Sequence, residues 1–293
     1  MKKVLFSLFG VFMFISCSSD NEEKSTEVDN LKLSYQNFDY IGVDHNNILG
    51  SAVNALDNEF KNNNIDIDMG LKIVSDIIVD ELDVIYKNDV KNDNRNVKYI
   101  NNNYSSRSVL DNEDYNKNIH SIESGMNIAL NYSKLSIKEE NIKFYEAIGE
   151  DVKEIDIELI NYLDKLDVIL KVDEELSIMN LKMDELISEV ENSKLSDKNK
   201  MIFYSTIAVA KHSVMFWKEY FKDNKNAYSV RKKDGLSIGT RGLWSYVKGC
   251  WQADAAGAVA GAVRGGIAGG LTPMGVVGFA AGGSAAYHVN QLF

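Results

Sequence analysis

The chain contains few of the residues that interrupt helices or cross-link a fold. Its 293 residues include 1 proline, Pro273, and 2 cysteines, Cys17 and Cys250. A proline ring breaks a helix interior, so no helix before Pro273 is broken in this way. Paired β-type runs joined by Asn-Gly or Asp-Gly are also missing. These absences favour an all-α fold that rests on its core and not on disulfides.

The common catalytic and metal-binding motifs are absent as well. The 4 histidines are His45, His120, His212 and His288, and none completes a Glu-x-x-His or His-Glu-x-x-His pattern. There is no Gly-x-Ser-x-Gly elbow and no phosphate loop ending in Gly-Lys-Ser/Thr. We therefore expect no catalytic residue, no metal ligand and no cofactor.

The sequence also lacks a basic stripe. It carries 43 acidic and 32 basic residues, for a formal charge of −11. Nucleic-acid binding depends on Lys and Arg side chains that neutralise phosphates, so this balance argues against a nucleic-acid partner. In the soluble part, the acidity favours solubility.

The N-terminus has the parts of an export signal. Lys2 and Lys3 precede an apolar stretch at residues 4–15, which is too short for a membrane span. The motif Phe-Ile-Ser-Cys at residues 14–17 resembles a bacterial lipobox, which implies acylation of Cys17 and stable membrane anchoring. An ordinary cleaved signal and an N-terminal anchor are the alternatives.

The segment after Cys17 supports the lipoprotein interpretation. Residues 1–16 are the expected signal peptide, and residues 17–35 form a polar tether. The acidic run at residues 20–23 resembles surface-export signals of Bacteroidetes lipoproteins. That resemblance implies an outer-membrane lipoprotein of the bacterial cell envelope, exposed at the cell surface. Acylation of Cys17 would leave Cys250 unpaired, and we expect Cys250 to be a small buried residue; a nucleophile is the alternative.

Apolar residues at helical spacing dominate residues 36–224. Stripes at 43–60, 71–86, 119–130, 137–148, 159–170, 172–190 and 201–221 predict amphipathic helices, the last being a core helix. Leu163, Leu166, Met183 and Phe203 are predicted to be buried. Asn-rich residues 87–112 predict an exposed loop. The prediction is a bundle of about six or seven helices with a C-terminal helical hairpin.

The sequence changes in character after residue 224. Residues 225–243 form a basic, Gly-containing linker, or alternatively a collar that meets anionic head groups. In residues 244–293, which are rich in Gly and Ala, Leu-Thr-Pro-Met at residues 271–274 predicts a turn between two helices. Small residues four apart form a groove that lets another helix approach closely. The predicted helix-packing positions are Gly257, Gly261, Gly265, Gly269, Gly278 and Gly282.

A simple membrane span by this hairpin is unfavourable. Residues 253–270 include Asp254 and Arg264, and an Arg at mid-bilayer costs about 2.5 to 3.5 kcal/mol. A close-packed hairpin that docks on the bundle or self-associates fits better. The pattern resembles glycine-zipper segments and the Gly/Ala-rich hairpins of bacteriocin-like peptides.

Two further segments resemble parts of uncharacterised Bacteroidetes lipoproteins. They are Tyr-Ile-Gly-Val-Asp-His-Asn at residues 40–46 and His-Ser-Val-Met-Phe-Trp at residues 212–217, followed by the Gly/Ala tail. That family implies no reaction. We expect His45 and Asn46 to cap or staple the bundle.

Three functions compete. The first is a lipid-anchored helical envelope protein without catalysis, whose hairpin associates with membrane, a partner helix or itself. The second is a bacteriocin-like or toxin-like effector that inserts the hairpin into a target bilayer. The third is an enzyme on a helical scaffold. The lipobox favours the first, the Gly/Ala tail supports the second, and no motif supports the third.

Overall fold

The described part of the chain is an all-α bundle that ends in a Gly/Ala-rich hairpin. The computed structural model describes residues 33–63, 65–89, 124–125, 127–128, 142–172, 174–222, 243–267 and 273–293. Seven α-helices and no strand occur within these ranges. The helices are α1 (Asp39–Asn62), α2 (Ile67–Asp89), α3 (Ile157–Lys171), α4 (Leu176–Glu191), α5 (Asp197–Tyr220), α6 (Leu243–Ile267) and α7 (Pro273–Leu292). Two 3-10 helices are Tyr35–Asn37 and Phe144–Glu154.

The helices at the periphery are amphipathic, as their stripes predicted. Leu163, Leu166, Met183 and Phe203 are all fully buried, which confirms their expected place in the core. Val43 and Val172 were expected in the same stripes but are 41% and 37% exposed. Val172 is the extended C-cap residue that follows α3, so it does not continue a helical face.

The prediction for residues 137–148 was wrong in the part that the structure describes. Residues 144–154 form a 3-10 helix in place of the end of an α-helix. Gly149 sits inside it with φ of 67°, a left-handed conformation that glycine adopts without steric cost. Most of the expected loop at 87–112, the linker at 225–243 and much of the expected helix near 119–130 lie outside the described residues.

The hairpin occupies the centre of the compact unit Leu33–Phe293. Residues 249–263 of α6 and 276–289 of α7 are buried without interruption. A helix that is apolar on all sides belongs in a core, because every face must meet another element. Here α6 packs on α7, α5, α3 and the second 3-10 helix, while α7 also packs on α1 and α2.

The core helix α5 begins at a capped end. The Ser196 hydroxyl oxygen accepts a hydrogen bond from the Asn199 backbone N–H, so one of the free donors of the first turn is satisfied. All ten residues from 201 to 210 are buried, as expected for a central helix. None of the described helices combines the length and apolar character that crossing a bilayer would require.

Candidate functional site

The glycine groove of α6 is filled by α7 of the same chain. A Cβ atom added at Gly257 would lie 2.7 Å from the Ala280 Cα. At Gly261 it would lie 2.8 Å from the Val276 Cα and 2.8 Å from the Gly275 carbonyl oxygen. Side-chain carbons do not approach backbone atoms this closely, so only glycine allows the observed separation of the helices. The contacts run in opposite directions along the two helices, which are therefore antiparallel.

The remaining predicted positions fall in different places. Gly278 and Gly282 are buried within α7, and Gly265 lies in the last turn of α6. Cys17 and Gly269 lie outside the described residues. The sequence therefore identified the groove, and the structure shows which helix fills it at Gly257 and Gly261.

Three glycines outside the regular stripe also allow close packing. A Cβ at Gly42 would lie 2.9 Å from the Ala208 carbonyl carbon, where α1 meets α5. One at Gly125 would lie 2.6 Å from the Phe279 Cα. One at Gly249 would overlap the phenol of Tyr287. These glycines are isolated in the sequence, so no repeat signalled them.

A buried polar cluster, named here the Asp254 cluster, joins α1, α5 and α6. The Asp254 carboxylate lies 2.7 Å from His45 Nε2 and accepts hydrogen bonds from the Ser213 hydroxyl and from Trp217 Nε1–H, the latter at 2.9 Å. These four residues have no solvent exposure. Burying a carboxylate is costly unless it is paired and hydrogen-bonded, and this one has three partners.

The orientation of Asn46 defines the hydrogen bonding of the His45 ring. The Asn46 side-chain amide donates to the His212 carbonyl oxygen at 2.9 Å, so its Oδ1 faces His45 Nδ1 at 3.0 Å. Both ring nitrogens thus face oxygen atoms of Asn46 and Asp254. The His45 ring therefore bridges the Asn46 side chain and the Asp254 carboxylate.

The cluster does not have the arrangement of a nucleophilic triad. In such a triad the histidine takes the proton of the serine, whereas Ser213 here donates to Asp254. No member reaches solvent or a cleft where a substrate could bind. The cluster therefore contributes to packing, which fits the expected staple role of His45 and Asn46. The alternative expectation of a helix cap was wrong, because both residues lie inside α1. The cluster also brings together the two segments at 40–46 and 212–217 and the Gly/Ala tail.

A second buried network, named here the His288 chain, connects the hairpin to α5 and α1. Tyr246 Oη lies 2.6 Å from His288 Nδ1, and Tyr220 Oη lies 3.2 Å from His288 Nε2. Tyr220 in turn donates to the Asp57 carboxylate at 2.8 Å. Because Tyr220 uses its proton on Asp57, His288 Nε2–H donates to Tyr220 and Nδ1 accepts from Tyr246.

Burial controls the ionisation of two groups in this core. Complete burial lowers the pKa of His288 to about 3, so its ring is neutral near pH 7. Burial, reinforced by the nearby Asp254 charge, raises the pKa of the Cys250 thiol well above its usual value. Because the thiolate is the reactive form, Cys250 is an inert packing residue in this fold.

An open surface cleft of about 530 Å³ lies at the first 3-10 helix, α4 and α5. Its Asp184 carboxylate pairs with Lys211, and Asp39 accepts hydrogen bonds from Tyr35 at 2.6 Å and from His212 at 3.0 Å. Burial raises the pKa of Asp39, but these two hydrogen bonds, together with charge interactions with His212 and Lys211, outweigh it and bring the value below normal. These two acids are already partnered within the protein.

Comparison with known proteins gave no match: no protein-family model fits the chain, and no curated protein or solved structure is similar to it. Within the described ranges, no group of three His, Cys, Asp or Glu side chains is placed to hold a metal ion. The internal geometry therefore carries the functional interpretation alone.

Proposed function

We propose that this protein is a lipid-anchored, non-catalytic helical protein of the bacterial envelope, held to the membrane through Cys17. In this proposal the hairpin mediates helix association, and its first partner is the bundle of its own chain. A second helix partner or the membrane surface would meet the folded domain from outside.

The observation that carries this proposal is the uninterrupted burial of residues 249–263 and 276–289. A hairpin whose polar residues Asp254 and His288 are fully buried and bonded inside the bundle is a structural core. The same burial supports a non-catalytic role, because the buried His45, Ser213 and Cys250 have no access to a substrate.

The anchor can be tested with labelled palmitate and membrane fractionation. The full chain expressed in a bacterial host with a lipoprotein pathway should incorporate the label and sediment with membranes. Cys17→Ala should lose both properties, whereas Cys250→Ala should keep both. Equal labelling of the wild-type chain and Cys17→Ala would contradict the proposal.

A membrane-active effector is the second candidate, because α6 and α7 are the most apolar of the described helices. Its test is dye release from vesicles by the intact chain. Removing residues 243–293 would be a poor control, since α1, α2 and α5 all pack on the hairpin. Dye release at neutral pH by the folded chain would support the effector, and intact vesicles would support the anchored core.

A further inference from the structure

A polar network connects each helix of the hairpin to the surrounding bundle. The Asp254 cluster ties α6 to α1 and α5. The His288 chain ties α7 to α5 through Tyr220, and from there to Asp57 of α1. Tyr246 belongs to the hairpin itself, so within the His288 chain the link between His288 and Tyr220 would break if the hairpin moved as a unit.

The surroundings of His288 suit a neutral ring and not a charged one. Rings of Trp217, Tyr220 and Tyr246 lie with centroids 5.2 to 5.8 Å from its own. A second proton on the ring would make Nδ1 a donor. Tyr246 could then turn its own proton to the His288 carbonyl oxygen, 3.2 Å away. Hydrogen bonding would survive, but a full positive charge would be held at a fully buried ring.

Titratable groups from each neighbouring helix define this environment. They are Tyr246 from α6 and Tyr220 from α5, with Asp57 of α1 reached through Tyr220. From α2, Gly70 approaches the adjacent residue Val289. Burial is the cause that lowers the pKa of His288, and no described charge offsets it.

We propose that His288 is an acid-sensitive latch: its neutral ring holds the α6–α7 hairpin in the bundle, and its protonation favours release of the hairpin from α1, α2, α3 and α5. Release would expose the apolar surface of the hairpin in acid. This inference does not depend on acylation of Cys17, so it can fail or succeed independently of the proposed function.

The direction of the pH effect follows from proton binding. Above about pH 6.5 the ring is neutral in both the docked and the released state. Between about pH 6.5 and about 3 the released state binds a proton that the docked state excludes. The equilibrium should therefore shift toward release about tenfold for each pH unit of acidification in that interval.

Hydrogen exchange with mass spectrometry on the full chain tests the latch between pH 6.5 and 4.5, after correction for intrinsic exchange rates. Peptides from α6 and α7 should open about tenfold more per pH unit, while peptides from α4 keep their protection. In His288→Gln the hairpin slope should be flat. His212→Gln, a control at a partly exposed histidine bonded to Asp39, should retain the wild-type slope.

Two results would overturn the latch. One is an unchanged hairpin slope in His288→Gln, and the other is simultaneous loss of protection in the hairpin and in α4. If His288→Gln does not fold, nuclear magnetic resonance of the wild-type histidine rings decides the question. A His288 ring that stays neutral in the docked state at pH 4.5 supports the latch, and one that titrates near pH 6.5 without hairpin opening excludes it.

Discussion

The α3–α4 pair and the α6–α7 pair are both made of consecutive helices in contact, but different interactions hold each pair in the bundle. In α3 the stripe Leu159, Leu163, Leu166 and Leu170 is fully buried, while the opposite face carries Lys165, which pairs with Glu189 of α4. The hairpin has no such opposite face, because its central residues are buried on every side.

The difference shows two ways to position a helix in a core. Large side chains in α3 gain stability from the apolar area they remove from water. The small residues of α6 remove less area each, and their contribution is to let backbones approach. In the hairpin, the buried hydrogen bonds of Asp254 and His288 fix the orientation of helices whose other contacts are between small side chains. We therefore expect mutations in the two regions to destabilise the fold for different reasons.

The largest effect is expected at Gly257. Gly257→Leu places a branched side chain where even a Cβ would lie 2.7 Å from the Ala280 Cα, so the helices must separate. We expect a loss of about 3 kcal/mol or more in the free energy of unfolding, measured with urea. Gly257→Ala should be milder but still destabilising, although alanine is the better helix former.

Gly50→Ala is the matched control for this prediction. Gly50 also lies within a helix, but a Cβ there would meet Phe216 at an ordinary 3.6 Å. Alanine should therefore be neutral or stabilising by up to about 1 kcal/mol. If Gly257→Ala changed the free energy of unfolding no more than Gly50→Ala, the close approach of α6 and α7 at Gly257 would be contradicted.

An effect of comparable size is expected at Asp254. Asp254→Asn removes the charge that pairs with His45 and turns one acceptor into a donor, facing Ser213, Trp217 or His45. Breaking a buried pair in this way costs about 3 to 5 kcal/mol. Asp184→Asn, which affects a half-exposed pair with Lys211, should cost at most about 1 kcal/mol. Similar urea midpoints for the two variants would contradict the stabilising role of the buried Asp254 cluster.

A smaller effect is expected in α3, where side-chain area dominates. Leu166→Ala should cost about 2 to 5 kcal/mol, because it leaves a cavity in a fully buried site. Val168→Ala, at a residue that is 61% exposed, should change stability by no more than about 0.5 kcal/mol. Equal thermal midpoints for Leu166→Ala and the wild-type chain would mean that the stripe does not face the core.

The sequence was sufficient to predict the all-α fold, but not the second 3-10 helix or the polar connections between helices. Periodicity identified the α3 and α4 stripes because apolar residues recur every three to four positions in a helix that exposes one face to solvent. It placed Val43 on the buried face, whereas Ile41 is the buried residue there. It also missed Gly149, whose positive φ divides the second 3-10 helix, since a lone glycine carries no periodic signal.

The role of Asp254 required the three-dimensional structure. In the sequence it is an isolated charge in a Gly/Ala segment, and such a charge makes insertion of the hairpin into a membrane unfavourable. Its partner His45 lies 209 residues away along the chain. No local pattern connects residues so far apart. The segments at 40–46 and 212–217 resemble parts of other lipoproteins, but that resemblance did not predict that both contact Asp254.

The central claim is that the hairpin is the buried core of the folded, anchored protein, and the reactivity of Cys250 tests it most directly. Cys250 lies on α6 with no exposure, and with Cys17 acylated it is the chain's one remaining cysteine. In membranes at neutral pH, a thiol-reactive maleimide should label Cys250 only after urea unfolds the bundle. Rapid labelling of the folded, membrane-bound protein would contradict the claim.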